Sequence, residues 1–146
     1  MKGIRVVFVI IALSLVAGSR GFAAEEQSPL HLAVVEVSNE NAEEWQNILN
    51  NVENLQNAFW PERTAIEVVA HDKGLGLLLN QDNALEERLR MLAERGVVLA
   101  ACENTMRLRH IEKDELLPFA IIVDSGVAEI IRRQADGWAY LKGGGT

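Results

Sequence analysis

The sequence predicts a three-layer α/β/α sandwich built on a mainly parallel five-stranded sheet, and three observations predict it. Short runs rich in Val, Ile, Leu and Ala alternate with longer segments whose apolar residues recur every three or four positions. The short runs are nearly continuous in apolar residues, as strands covered on both faces are. The order of segments, βαβααβαβαβ, is that of crossover units in a parallel sheet. With 146 residues, 49% of them hydrophobic and 24% charged, the chain has material for one core and not two, and too much apolar material to be disordered.

The first strand is expected over Leu30–Val37, ending in Ser38 and Asn39. A helix over Asn41–Asn57 follows, with Trp45, Ile48, Leu49, Val52 and Leu55 on one face and Asn41 and Glu44 at capping-box spacing. Pro61 breaks the chain before a second strand, Ala65–Ala70, that runs into His71 and Asp72, with Asp72 expected to cap a short helix rich in leucine. A helix from Asp82 to Glu94 turns Leu85, Leu89 and Leu92 inward, and Gly96 stops it. The strand Val97–Ala101 delivers Cys102 at its carboxyl end, and a short helical segment covers Thr105–Arg109. After a polar turn at Glu112–Glu115 and Pro118, the fourth strand is expected over Phe119–Val123. Ser125 caps a last helix whose inward stripe is read as Val127, Ile130, Ile131 and Gln134. Gly137 closes it before a short final strand, Trp138–Leu141.

The amino terminus carries an address. Lys2 and Arg5 precede an apolar run from Val6 to Val16, and Gly21-Phe22-Ala23 has the small-x-small pattern of a cleavage site. Residues 1–23 are therefore expected to be a signal peptide and residues 24–146 a single exported domain, periplasmic or secreted. The apolar run is shorter than the roughly 20 residues a spanning helix needs, so no membrane attachment is expected after cleavage. Cleavage removes three of the 14 basic residues and none of the 21 acidic ones, which makes a chain of formal charge -7 more acidic still. Such a chain repels a polyanion, so no nucleic-acid partner is expected. One cysteine excludes an intrachain disulfide. The dispersed His31, His71 and His110 lack the spacing of zinc ligands, and Gly74-Leu75-Gly76 lacks the third glycine of a dinucleotide loop. No metal or other cofactor is expected.

Ligand sites in open parallel sheets lie beyond the carboxyl ends of the strands. The residues there are Ser38 and Asn39, His71 and Asp72, Cys102 to Thr105, and Asp124 to Gly126. Cys102 stands at a strand-to-helix junction, where backbone N–H groups favour a thiolate. The same position also suits a small buried hydrophobe, and the residues alone leave both readings open. His71 has the chemistry of a proton donor or acceptor beside such a thiol, but a polar residue at a strand end more often serves only the start of the next helix, here beside the Asp72 cap.

The stretch Gly96–Ile111, with Cys102 after a strand and Arg107 and Arg109 in the helix behind it, resembles the DsrE/DsrF-like (YchN-like) family. So do Leu117-Pro118, Ser125-Gly126-Val127-Ala128-Glu129 and Gly137-Trp138-Ala139-Tyr140, and the likeness runs from Leu30 to about Lys142. The resemblance implies a three-layer α/β fold, homo-oligomers, and, in the sulfur-relay branch, sulfane sulfur carried as a persulfide. It places Cys102 at the sulfur-carrying position; for such a role Asn104, Thr105 and backbone N–H groups are expected to hold the charged sulfur, with His71, Ser125 and Gly126 as wall residues. A sulfur donor or acceptor, either a protein or a small sulfane compound, would be the partner. Two departures stand out: His110 where relatives commonly have glycine, and Thr105 where some have a second cysteine. Two alternatives to sulfur carriage remain, a non-catalytic oligomeric binding module and a single-cysteine redox sensor.

Overall fold

The computed structural model describes residues 30–143. The expected signal peptide, its cleavage site and the end of the glycine tail lie outside the described residues. Five strands, β1 (Leu30–Val37), β2 (Arg63–Ala70), β3 (Val98–Cys102), β4 (Ile121–Val123) and β5 (Ala139–Gly143), form one sheet in the order β4-β3-β2-β1-β5. Every pairing is parallel. Four helices connect them: α1 (Ala42–Phe59), α2 (Glu86–Glu94), α3 (Glu103–Arg109) and α4 (Gly126–Ala135).

The two faces of the sheet are covered unequally. Residues at alternate positions, Ala33, Val35 and Val37 on β1, Ile66, Val68 and Ala70 on β2, and Leu99 and Ala101 on β3, pack against Ile48, Leu49 and Val52 of α1, Leu89 and Leu92 of α2 and Met106 of α3. Leu75, Leu77 and Leu78 join this core from a 3₁₀ segment over Asp72–Leu78. The glycine pair in that segment serves packing. A Cβ at Gly74 would lie 2.1 Å from the Val37 carbonyl oxygen, and one at Gly76 would lie 2.9 Å from the Trp45 ring. On the opposite face Val34, Val69 and Ala100 meet Ile130 of α4 alone, with Val123 and Trp138 at the margins.

Several expected boundaries move. Asn41 caps α1 as expected, its side-chain oxygen accepting from the N–H groups of Glu43 and Glu44. The second helix starts at Glu86, because the Asn83 side chain spends its amide on the carbonyls of Leu77 and Leu79 and accepts from the Leu85 N–H, shaping a turn before it. The fourth strand is only Ile121–Val123, since Phe119 and Ala120 lie in the turn after Pro118. The inward stripe of α4 is Gly126, Glu129 and Ile130, whereas Val127 and Ile131 are exposed. Charge explains the last change. Glu67, in the middle of β2, is fully buried beneath α4, and Arg133 and Glu129 turn inward to meet it.

Glu67 Oε2 pairs with Arg133 Nε, which also contacts Glu129 Oε1 at 3.0 Å and stacks on Trp138 at 4.8 Å. Burial pushes the Glu67 carboxyl up, and Arg133 pulls against that. Taking one partner from a buried pair strands the other charge, which typically costs about 3 to 5 kcal/mol. Arg133→Met should therefore destabilise the protein by about 3 kcal/mol at neutral pH in chemical denaturation. A carboxyl raised in the folded chain binds its proton more tightly there, so stability rises as pH falls through that window. The deficit of the variant should accordingly shrink in acid, where Glu67 is neutral; a deficit independent of pH would count against this account.

Candidate functional site

Cys102 is the last residue of β3 and the residue before the first turn of α3. Its Sγ accepts the backbone N–H of Gly126 at 3.2 Å. Gly126 begins α4, and only glycine fits there. A Cβ at that position would sit 2.9 Å from His71 Cβ, 3.2 Å from Val69 Cγ1 and 3.3 Å from Cys102 Cβ. The missing side chain lets α4 descend onto the ends of β2 and β3 and bring its first amide to the sulfur.

Two anchors hold that descent. Ser125 Oγ accepts from the Ala128 N–H, so Ser125 caps α4 as the sequence predicts. The Asp124 carboxylate accepts two bonds from Arg132, at 2.8 and 2.7 Å, which hold its pKa at about 2.

Thr105 contributes from α3. Its Oγ1 accepts the Asp72 N–H at 2.9 Å, which leaves the hydroxyl hydrogen for the sulfur. The expected cap by Asp72 is thereby corrected: Asp72 takes φ 48° and is itself held by Thr105. Burial pushes the Cys102 thiol up, but the Thr105 hydroxyl and the N–H groups of Gly126, Thr105 and Asn104 outweigh it, and the thiol lies below its ordinary range. Hydrogen bonds to a charged acceptor are the strong ones, so several of them overcome the partial burial of one sulfur.

The six residues singled out from the sequence come together here. A cavity of ≈ 260 Å³ is lined by Cys102, Asn104, Thr105, His71 and Ser125, and Gly126 donates to the sulfur beside it. Arg109 also lines it and donates to the Asp72 carbonyl at 3.2 Å, which brings one cation to the site. Arg107 is held by Asn104 Oδ1 at 2.6 Å. Leu108 and Val127, both exposed, form an apolar rim. The three histidines stay apart: His31 pairs with Glu62 beside Phe59, and His110 ends α3.

The fold that carries this site is shared with known proteins. The sequence model of the DsrE/DsrF-like family matches residues 18–142. The chain belongs to that family. Among solved structures, a protein of unknown function, MTH1491 from Methanobacterium thermoautotrophicum, is 32% identical with a TM-score of 0.73, over 77% of this chain and 98% of that one. The ychN protein of E. coli shares 13% identity and a TM-score of 0.60, again over 77% of this chain and 98% of that one. At that identity it supports the fold alone. No curated protein matches the chain.

Sequence reasoning missed two residues near the site. His71 Nε2 lies 2.7 Å from Glu36 Oε1, and Tyr140 donates its hydroxyl to the other oxygen of Glu36. The available signal was a lone carboxylate inside the apolar run Ala33–Val37.

Replacing the Thr105 hydroxyl by a methyl tests the thiol's environment. Thr105→Val removes a donor from the sulfur and an acceptor from the Asp72 N–H. The inflection in the pH dependence of Cys102 alkylation should rise, and stability should fall by about 1 to 2 kcal/mol from the orphaned amide. An unchanged inflection would show that the hydroxyl does not support the thiolate.

Proposed function

We propose that this DsrE/DsrF-like chain is an exported sulfur carrier that holds sulfane sulfur as a persulfide on Cys102. The observation that carries the reading is the sulfur's surroundings. Hydrogen-bond donors converge on Sγ at the edge of a cavity large enough for a small sulfur compound, and they favour the anion that both a thiolate and a terminal persulfide present. Arg109 adds positive charge to a chain that is otherwise acidic. Asn104, His71 and Ser125 shape the rest of the wall. The exposed Leu108 and Val127 on the rim, with Ile131 one turn along α4, suit docking of a partner protein or a second copy of the chain at the mouth. Export rests on the charged and apolar pattern of residues 1–23.

One observation favours a second reading. Cys102 is only 4% exposed, as a packed thiol in a non-catalytic binding module would be. The same limited access would hold for a redox sensor that forms a disulfide with another chain.

Intact-mass analysis separates them. The reduced protein, incubated with a sulfane-sulfur donor, should gain the mass of one sulfur atom, and Cys102→Ser should gain none. Alkylation of native Cys102 near neutral pH should be faster than that of an ordinary thiol. A wild-type protein that neither loads sulfur nor alkylates faster than after denaturation leaves the binding module as the function.

A further inference from the structure

We propose that Glu36 and Tyr140 form a clamp that makes His71 the proton carrier of the Cys102 site. The inference deepens the sulfur-carrier reading and rests on it for its chemistry, while its geometry is independent of it.

Four side chains lie in a row across the sheet, three of them at or next to the carboxyl ends of their strands and Tyr140 near the start of β5, opposite Val34. Tyr140 on β5, Glu36 on β1, His71 just after β2 and Cys102 at the end of β3 belong to four consecutive strands in the spatial order. The register aligns Glu36 with Val69, two residues before His71, and Val34 with Tyr140. Tyr140 thus reaches Glu36 from one side and His71 reaches it from the other. His71 and Cys102 in turn both abut Gly126, their Cβ atoms flanking the same point above its backbone, and both line the cavity.

The protonation pattern follows from the partners. Burial pushes the Glu36 carboxyl up, but the bonds from Tyr140 and His71 hold it below its ordinary range, so it is an anion at neutral pH. An ionised carboxylate only accepts, so Nε2 of His71 must carry the hydrogen that bridges to it. Tyr140, pushed up to about 12 mainly by the same carboxylate, stays a donor. Glu36 therefore has both oxygens engaged, which holds the ring of His71 through Nε2 and leaves Nδ1 as the ring nitrogen outside that bond. The other charges around the pair are Lys142 on β5, Asp72 next along the chain and Arg109 on α3. The fold gains little from such a part-buried carboxylate, whose side chain is 20% exposed, since two apolar residues would pack there without desolvating a charge.

The transfer step balances with these groups and one persulfide. The Cys102 thiol gives its proton to His71, and Glu36 stabilises the imidazolium. The thiolate attacks the outer sulfur of a donor R–S–SH, the donor's S–S bond breaks, and Cys102–S–SH forms. The leaving R–S⁻ takes the proton from His71 and departs as R–SH. No oxidant or reductant is consumed. Cys102 and His71 are the catalytic residues of this step, and Glu36 and Tyr140 are positioning residues.

The sign of one shift decides the matter. If Glu36 acted on the sulfur directly, removing its negative charge would lower the thiol pKa; if it acts through the imidazolium, removing it raises the thiol pKa. The rate of iodoacetamide alkylation of Cys102 is measured against pH for the wild type, Glu36→Gln, His71→Gln and the double variant. The inflection should move up by about half a pH unit or more in each single variant. In the double variant it should move no further than in His71→Gln alone. An inflection in Glu36→Gln that stays or moves down overturns the clamp, as does a further rise in the double variant. Should Glu36→Gln fail to fold, an unchanged inflection in His71→Gln overturns it alone. Sulfur loading by intact mass runs in parallel. A wild type that fails to load sinks the sulfur-carrier reading, while the alkylation profiles still decide whether Glu36 and His71 govern the thiol.

Discussion

The site depends on how closely the first turn of α4 approaches the ends of β2 and β3. That approach exists because residue 126 has no side chain, and it places one backbone N–H on the Cys102 sulfur. Everything nearby is arranged to keep it. Asp124 and Ser125 fix the turn into α4, Arg132 reaches back eight residues to grip Asp124, and Ile130 seats the helix on Val34, Val69 and Ala100. Further along the same helix, Arg133 enters the face of the sheet to meet Glu67. A helix held at both ends by charge and in the middle by one isoleucine is a weakly apolar lid, and its position is set more by polar geometry than by buried area. The other face, with α1, α2 and the leucine-rich 3₁₀ segment, supplies the hydrophobic stability that this face forgoes.

That division of labour explains the electrostatics of the cavity. A thiol enclosed by apolar walls would be pushed upward and stay protonated. Here backbone amides and a hydroxyl face the sulfur and one arginine lines the cavity, with Leu108 and Val127 at its rim, so enclosure and anion stabilisation coexist. The long-range field of an acidic chain opposes the approach of an anionic sulfur compound, but screening limits that field to roughly 8 Å at physiological salt, whereas hydrogen bonds act at contact. On the proposed function, preference for an anion would therefore be local, built by the three strand ends and the helix start around Cys102.

The sequence made the elements on the apolar face legible because their periodicity was clean. Ile48, Leu49 and Val52 repeat at helical spacing, and the valine-rich strands run unbroken. It also exposed the site residues, since a parallel sheet puts chemistry at the carboxyl ends of its strands and the short list of residues there held the six that now surround or touch one cavity. It misread α4, where Val127 and Ile131 look like core and are exposed, because hydropathy alone does not reveal that a buried Glu67 two strands earlier in the chain draws Glu129 and Arg133 inward. Glu36 and Tyr140 escaped for a related reason. Their pairing is made across 104 residues of chain and depends on β5 lying beside β1, a strand order that periodicity does not encode.

The two departures from the family pattern acquire a physical meaning in this setting. His110 sits at φ 55°, in the left-handed conformation that ends α3, which is where glycine is favoured; a side chain there bears on the backbone and not on the cavity. Thr105, where some relatives have a second cysteine, is 8% exposed and accepts from the Asp72 N–H beside the sulfur. A cysteine at that position would offer a weaker hydrogen bond and a thiol able to resolve a persulfide into a disulfide. With threonine there, a sulfur held on Cys102 has no second thiol in the chain to expel it. On the proposed function, sulfur would therefore be retained until an acceptor from outside reaches the cavity, which is the behaviour of a carrier and not of a reductase.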